Sequence, residues 1–273
     1  MLRSMYSGVS GMRGFQTKLD VIGNNIANVN TIGFKSGRVM FKDILSQTVA
    51  SFTAPEEGTI GGVNPKQIGL GVTTAAIDTI HTAGSAMTTN VATDLRIDGD
   101  GFFAIAASED QEVPYLTRAG NFTVDAAGQL VTSDGYFVLG VDGAPIVIGA
   151  EVTAFTIGQD GRIIAVNADG TMDDTGMQIA VVRVANPAGL EKIGGNLYRV
   201  TPNANPDGVV DLTAPGDADA GTGNIISGQL EMSNVDLTVE FTEMIVAQRG
   251  FQANSRIITT SDEILQEVVN LKR

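Results

Sequence analysis

Residues 234–273 read NVDLTVEFTEMIVAQRGFQANSRIITTSDEILQEVVNLKR. Leu237, Met244, Phe251, Ile258 and Leu265 recur at every seventh position, and Phe241, Ile257, Ile264, Val268 and Val269 widen the same face. No proline interrupts the run, and Gly250 is its sole glycine. This spacing predicts a helix from about Asp236 to Leu271 with the heptads of a coiled coil. Asn234 is a candidate N-cap, Asp236, Glu240 and Glu243 stand in the early turns, and Lys272 and Arg273 close the segment, as the helix dipole favours. A helix with so wide an apolar stripe needs something to cover it.

The opposite end of the chain carries a weaker version of the same signal. Leu2, Met5, Val9, Met12, Leu19 and Ile26 lie on an a/d seam, broken by Gln16 and Gly23 and flanked by Phe15 and Ile22. A helix over about Leu2–Ala27 follows. Gly8, Gly11 and Gly14 each cost it up to about 1 kcal/mol relative to alanine, so it is expected to depend on a partner. Asn24, Asn25, Asn28 and Asn30 stand where it should stop, and Gly33 suits a turn after the exit.

Between the ends the period changes. Asp-Gly pairs occur at 98–99, 100–101, 134–135, 142–143, 160–161, 169–170 and 207–208. Short β-rich runs separate them: Leu95–Ile97, Phe102–Ala106, Phe122–Val124, Gln129–Thr132, Tyr136–Leu139, Phe155–Ile157, Arg162–Val166 and Gln178–Val184. Hairpins at this spacing predict an all-β sandwich or barrel-like domain. Residues 46–75 read as an extended connector and 201–224 as a long exposed loop. The expected organisation is a mainly β chain with terminal α-helices: an N-terminal assembly helix and exit loop over 1–45, the connector over 46–75, an all-β outer domain over 76–229, and a C-terminal assembly helix over 230–273 that pairs with 1–45.

The 273 residues include 17 Lys+Arg, 31 Asp+Glu, one histidine and no cysteine, for a net charge of −14. Residues 1–45 hold six basic and two acidic groups, while 231–273 hold four basic and seven acidic groups. The acidic excess therefore sits in the middle, and the two ends have opposite signs that favour their pairing. So acidic a chain repels phosphate backbones, so no nucleic-acid partner is expected. No apolar stretch of about 18 residues is present, so no membrane insertion is expected. The first twenty residues hold no continuous apolar run, so no cleavable secretory signal is expected. The absence of cysteine excludes disulfides and thiolate chemistry, and His81 has no second histidine for a metal cluster. Asp98-Gly99-Asp100-Gly101 echoes a Ca²⁺ loop, but Phe102 and Phe103 occupy positions that need a ligand and a glycine. Gly69-Leu70-Gly71 lacks the strand–helix context of a dinucleotide loop. His81 reads as a surface or strand polar residue. No catalytic residue, cofactor or metal is expected.

The run Leu19-Asp20-Val21-Ile22-Gly23-Asn24-Asn25-Ile26-Ala27-Asn28-Val29-Asn30-Thr31-Ile32-Gly33-Phe34-Lys35 resembles the signature of the bacterial flagellar rod and hook protein family. Ser233-Asn234-Val235-Asp236-Leu237-Thr238, Met244-Ile245-Val246-Ala247-Gln248-Arg249 and Val269-Asn270-Leu271-Lys272-Arg273 resemble the family's C-terminal helix. Ile97-Asp98-Gly99-Asp100-Gly101-Phe102-Phe103 and Thr117-Arg118-Ala119-Gly120-Asn121-Phe122 resemble its β domain.

The resemblance implies a non-enzymatic subunit of a tubular homopolymer, exported without a cleaved signal by the flagellar type III apparatus. The motif details resemble the hook form most, which implies the extracellular flexible joint that passes motor torque to the filament. Its implied partners are further copies, the distal rod protein, the hook cap and the hook–filament junction proteins. The chain lacks room for the outer domain many hooks carry, which makes a distal rod subunit of the basal body the alternative. A β-scaffold hydrolase or an adhesin is the reading from another class, and both leave the terminal segments unexplained.

Overall fold

The computed structural model describes residues 2–54, 61–108, 111, 113–149, 152–167 and 171–271. The chain is mainly β with one helix near each end, and it divides into two compact units. The first comprises Met1–Ala27, Gly37–Thr79 and Asp236–Arg273, and the second Asn28–Ser36 and Ile80–Val235.

The first unit holds α1 (Leu2–Ala27), β1 (Gly37–Asp43), β2 (Ser46–Ala50), β3 (Lys66–Gly69), β4 (Val72–Thr79) and α2 (Leu237–Asn270). Strand β1 pairs antiparallel with β4, and β2 with β3. Residues 46–75, expected as an extended connector, thus carry two strands and the start of a third. Their side chains are largely exposed, so the inward/outward alternation that marks a half-buried strand is missing from the sequence. At the start of α2, Asp236 is the N-cap, its carboxylate accepting from Thr238 N (2.8 Å) and Val239 N (3.4 Å). Asn234, the expected cap, lies too far ahead of the first turn to reach those amides. Lys272 and Arg273 lie outside the described residues.

The second unit holds β5 (Ala86–Thr88), β6 (Leu95–Asp98), β7 (Phe102–Ala106), β8 (Tyr115–Thr117), β9 (Phe122–Val124), β10 (Leu130–Thr132), β11 (Phe137–Val138), β12 (Val152–Ile157), β13 (Arg162–Asn167), β14 (Met172–Gln178), β15 (Val181–Val182), β16 (Glu191–Gly194), β17 (Leu197–Arg199), β18 (Asn224–Ser227) and β19 (Gln229–Glu231). The main sheet runs β16-β17-β8-β7-β11-β10-β9, with β15 also on β7. Strands β12, β13 and β14 form a second antiparallel sheet, and β18 pairs with β6 and β19 with β5.

Strand β7 is the centre of this unit. Phe103 and Ile105 point into one buried cluster with Leu95, Phe122, Leu130 and Ile146, while Phe102, Ala104 and Ala106 point into another with Leu116, Leu139 and Tyr198. Burial on both faces explains why 102–106 is apolar without alternation. The hairpin joining β12 and β13 turns at Gly161, whose φ of +73° suits glycine in an Asp-Gly turn. The Asp169-Gly170 pair lies outside the described residues. In the long loop 201–224, expected to be exposed, Ala204, Val210 and Thr222 are buried and Thr213 bridges to Val181.

Candidate functional site

The features with functional content are the helix pair in the first unit and a buried charge cluster in the second. Helices α1 and α2 pack antiparallel along a row of small residues. A Cβ on Gly8 would stand 3.4 Å from Ile258, one on Gly11 2.9 Å from Asn254, and one on Gly250 2.6 Å from the Phe15 ring. Lys18 forms an ion pair with Glu243, and Asn25 Nδ2 donates to Glu240 Oε1 at 3.0 Å. Burial raises the Glu240 carboxyl above the usual range, and that donated hydrogen bond opposes the shift. Gly8 and Gly11, two of the three glycines that weaken α1 as an isolated helix, are therefore residues that let α2 approach it, while Gly14 makes room for the Phe41 ring of β1.

The residues of α1 that meet α2 include Gly8, Gly11, Phe15, Lys18 and Asn25, with the buried Ile22 on the same line of the helix. The a/d residues stand beside it: Met5, Met12, Leu19 and Ile26 are half-buried and Val9 is exposed. The side chain of Leu2 lies outside the described residues. In α2, Met244, Ile258 and Leu265 are half-buried, whereas Leu237 and Phe251 are exposed. Phe241, Ile245, Val246, Ile257, Val268 and Val269 are also exposed, so α1 leaves large apolar side chains on more than one side of α2 uncovered. Gln248 and Arg249 are exposed on the same helix, as is Asn24 on α1.

Asn25 ends α1 by acting as a backbone mimic. Its Nδ2 donates to Gly37 O (2.9 Å) and its Oδ1 accepts from Gly37 N (3.0 Å), the reciprocal pair of a β-bridge. Thr31 Oγ1 donates to Asn28 Oδ1 at 3.1 Å.

In the second unit, three passages of chain meet around Glu231. Gly33, with φ of +69°, donates its N–H to Glu231 O at 2.8 Å; a Cβ there would lie 2.6 Å from Ala119 N, so only glycine fits. Phe34 is buried beneath the Lys192 ammonium, 4.3 Å from its ring centre. Lys35 is fully buried and donates to Glu231 Oε1 (2.5 Å) and Thr82 O (2.8 Å). Arg118 Nη1 reaches Glu231 Oε2 (3.3 Å), and Gly84 N donates to Glu231 Oε1 (2.9 Å). Asn234 links the same passages, accepting from Ser36 N and donating to Ile80 O, each at 2.8 Å. Burial lowers the Lys35 ammonium below its ordinary value, and Glu231 opposes it. Burial alone would raise the Glu231 carboxyl, but Arg118 and Lys35 outweigh it and hold the group ionised.

His81 departs from the surface expectation. It packs against Phe102 and Tyr198, with ring centres 5.7 and 5.6 Å away, and burial among Lys35, Arg118 and Lys192 pushes its pKa down to about 4. Arg118 and Glu231 lie 113 residues apart, so no local pattern announces their pairing. Arg118 does fall inside the Thr117–Phe122 motif, which was a usable signal.

The helix pair of the first unit thus packs on small residues and leaves large apolar side chains exposed. Residues 5–35 match the family described as flagella basal body rod protein, 96–165 the flagellar hook protein FlgE/F/G D1 domain, and 226–271 the flagellar basal body rod FlgEFG protein C-terminal. The chain is 58% identical over 273 residues to the flagellar basal-body rod protein FlgG of Bacillus subtilis, with 100% of each chain covered. It is 39% identical over 278 residues to FlgG of Borreliella burgdorferi, again with 100% of each chain covered. To the flagellar hook protein FlgE of Borreliella burgdorferi it is 31% identical over 451 aligned positions, with 100% of each chain covered. The chain belongs to the flagellar rod and hook protein family and is a structural subunit of the flagellum.

Proposed function

We propose that the chain is a distal rod subunit of the flagellar basal body, polymerising into a straight tube, rather than a subunit of the flexible hook. The observation that carries this reading is length: the alignments to the two rod proteins run to 273 and 278 positions and need almost no gaps, while that to the hook protein runs to 451. The hook relative accommodates added chain for which nothing in 273 residues corresponds. The hook-like motif details lie in the termini that rod and hook share, so they discriminate less than overall length does.

In this role the uncovered apolar side chains of α2 pack against neighbouring copies, with Leu2, Met5, Val9, Met12, Leu19, Ile26, Leu237, Met244, Phe251, Ile258 and Leu265 on or beside the contacts. Burying each large apolar side chain contributes roughly 1.5–3 kcal/mol, enough in sum to offset much of the ordering of the terminal helices. Asn24, Asn25, Asn28, Gly33, Phe34 and Lys35 set the exit from α1, and the exposed Gln248 and Arg249 face neighbours. The chain acts without enzymatic chemistry. It is delivered by the type III export apparatus, and the hook follows it in assembly. Cells lacking this chain are expected to make basal bodies that stop short of any hook. Basal bodies with a full rod and a missing hook would overturn the assignment and restore the hook reading.

A further inference from the structure

The second unit buries more positive than negative charge. Among the described residues the buried charged side chains are Lys35, Arg118 and Glu231, two cations for one carboxylate. Lys192, an exposed residue, adds a third cation nearby, its ammonium over the Phe34 and Tyr198 rings. An uncompensated buried charge is strongly unfavourable, and a counter-ion relieves it.

Beside this cluster lies a cavity of about 140 Å³, lined by His81, Phe102, Arg118 and Val184, and by Arg183 and Asp100, which are exposed. That is room for about four waters, and so for one small anion. Arg118 is only 5% exposed. Its Nη1 is used by Glu231 and its Nη2 by Gly99 O (2.9 Å), but its Nε finds no partner among the described residues. His81 Nδ1 is likewise unpartnered, and the Pro187 backbone beside the ring partly offsets the lowering of its pKa by burial. Among the described residues, Arg183 bonds only Ala220 O, through Nη1. The charged groups acting on the His81 ring, Lys35, Arg118 and Lys192, are all cations, and Tyr198 packs on it as a neutral phenol. Asp100 is the opposing carboxylate in the lining, and its exposure leaves it hydrated.

We propose that this cavity binds a small oxyanion, held by Arg118 and Arg183 and, once its Nδ1 is protonated, by His81. The arrangement is independent of how the chain assembles. A bound anion favours the imidazolium, so binding raises the pKa of His81 from about 4 toward the ordinary 6.5, and the anion binds more tightly as pH falls through that window.

His81 is the only histidine in the chain, so its Cε1 proton is a single NMR signal in the full-length protein. Titration with inorganic phosphate, at ionic strength held constant with chloride, should move that signal saturably and raise the apparent pKa by about one unit. A parallel titration with acetate separates the sources: tighter phosphate assigns a free inorganic ion, and tighter acetate a carboxylate ligand. Arg183→Gln should weaken the response about tenfold, the loss of one charge-assisted contact. Arg162→Gln, which touches only the exposed Asp174 pair, should leave it unchanged. A phosphate response no larger than that of chloride, or one that survives Arg183→Gln undiminished, would overturn the proposal.

Discussion

Lys35 is a residue that water would normally keep, and its burial makes sense only through Glu231 and Thr82. Removing the carboxylate leaves two buried cations without a counter-charge, so Glu231→Ala should destabilise the β unit by about 3–5 kcal/mol in chemical denaturation. Glu231→Gln should cost less, because it keeps the acceptor for the Gly84 amide. His81 gives the unit an acid limb. Between its ordinary pKa of 6.5 and its folded value of about 4, the unfolded chain takes up a proton that the folded chain refuses. Stability should therefore fall as pH drops from 6.5 to about 4, then lose this contribution to the slope, and His81→Phe should flatten that stretch of the profile. At this scale the sequence was legible only in part. Gly33, Phe34 and Lys35 stood out as a motif, but Glu231 is 196 residues from Lys35, and no spacing rule spans that distance. Asn234 and Asp236 are both cap-type residues two positions apart. Only the point where the helix begins decides that Asp236 caps it and Asn234 bonds Ser36, Ile80 and Thr82 instead.

Both helices were legible as elements, α1 over the same residues as expected and α2 within a residue at each end. Which faces they use on one another was not. A heptad reading selects the largest apolar residues, whereas the pair closes on Gly8, Gly11, Gly250 and Asn254 and leaves much of the large apolar set outside. Two glycine substitutions separate the helix term from the packing term. Gly23 has open space around it, so Gly23→Ala should raise the melting temperature of the helical circular dichroism signal, with a gain of up to about 1 kcal/mol. Gly250→Val forces a side chain into the Phe15 ring and should lower that melting temperature, with overpacking of about 1–3 kcal/mol exceeding the propensity gain. The strands divide the same way. Those with a buried face, such as β7, β9 and β13, read clearly, whereas β1 to β4 have little buried side-chain surface to impose a pattern.

For the molecule as a whole, the uncovered apolar side chains of α2 are the feature that a single chain leaves unfinished. Phe251 lies on α2 and is 37% exposed. Phe251→Asp should abolish polymerisation while leaving the signals of the β unit, including the His81 resonance, unchanged. A variant that still polymerises would remove α2 from the proposed contacts. Membership of the rod and hook family was legible from the termini, because motifs there are dense and contiguous. The proposed choice of rod over hook rests on length: the alignment to the hook relative runs to 451 positions, and the shortness of the 273 residues was the one signal of it in the sequence. Electron microscopy of tubes grown from the purified full-length chain tests that choice most directly: the account predicts straight, rigid tubes, and curved tubes of variable bend would contradict it.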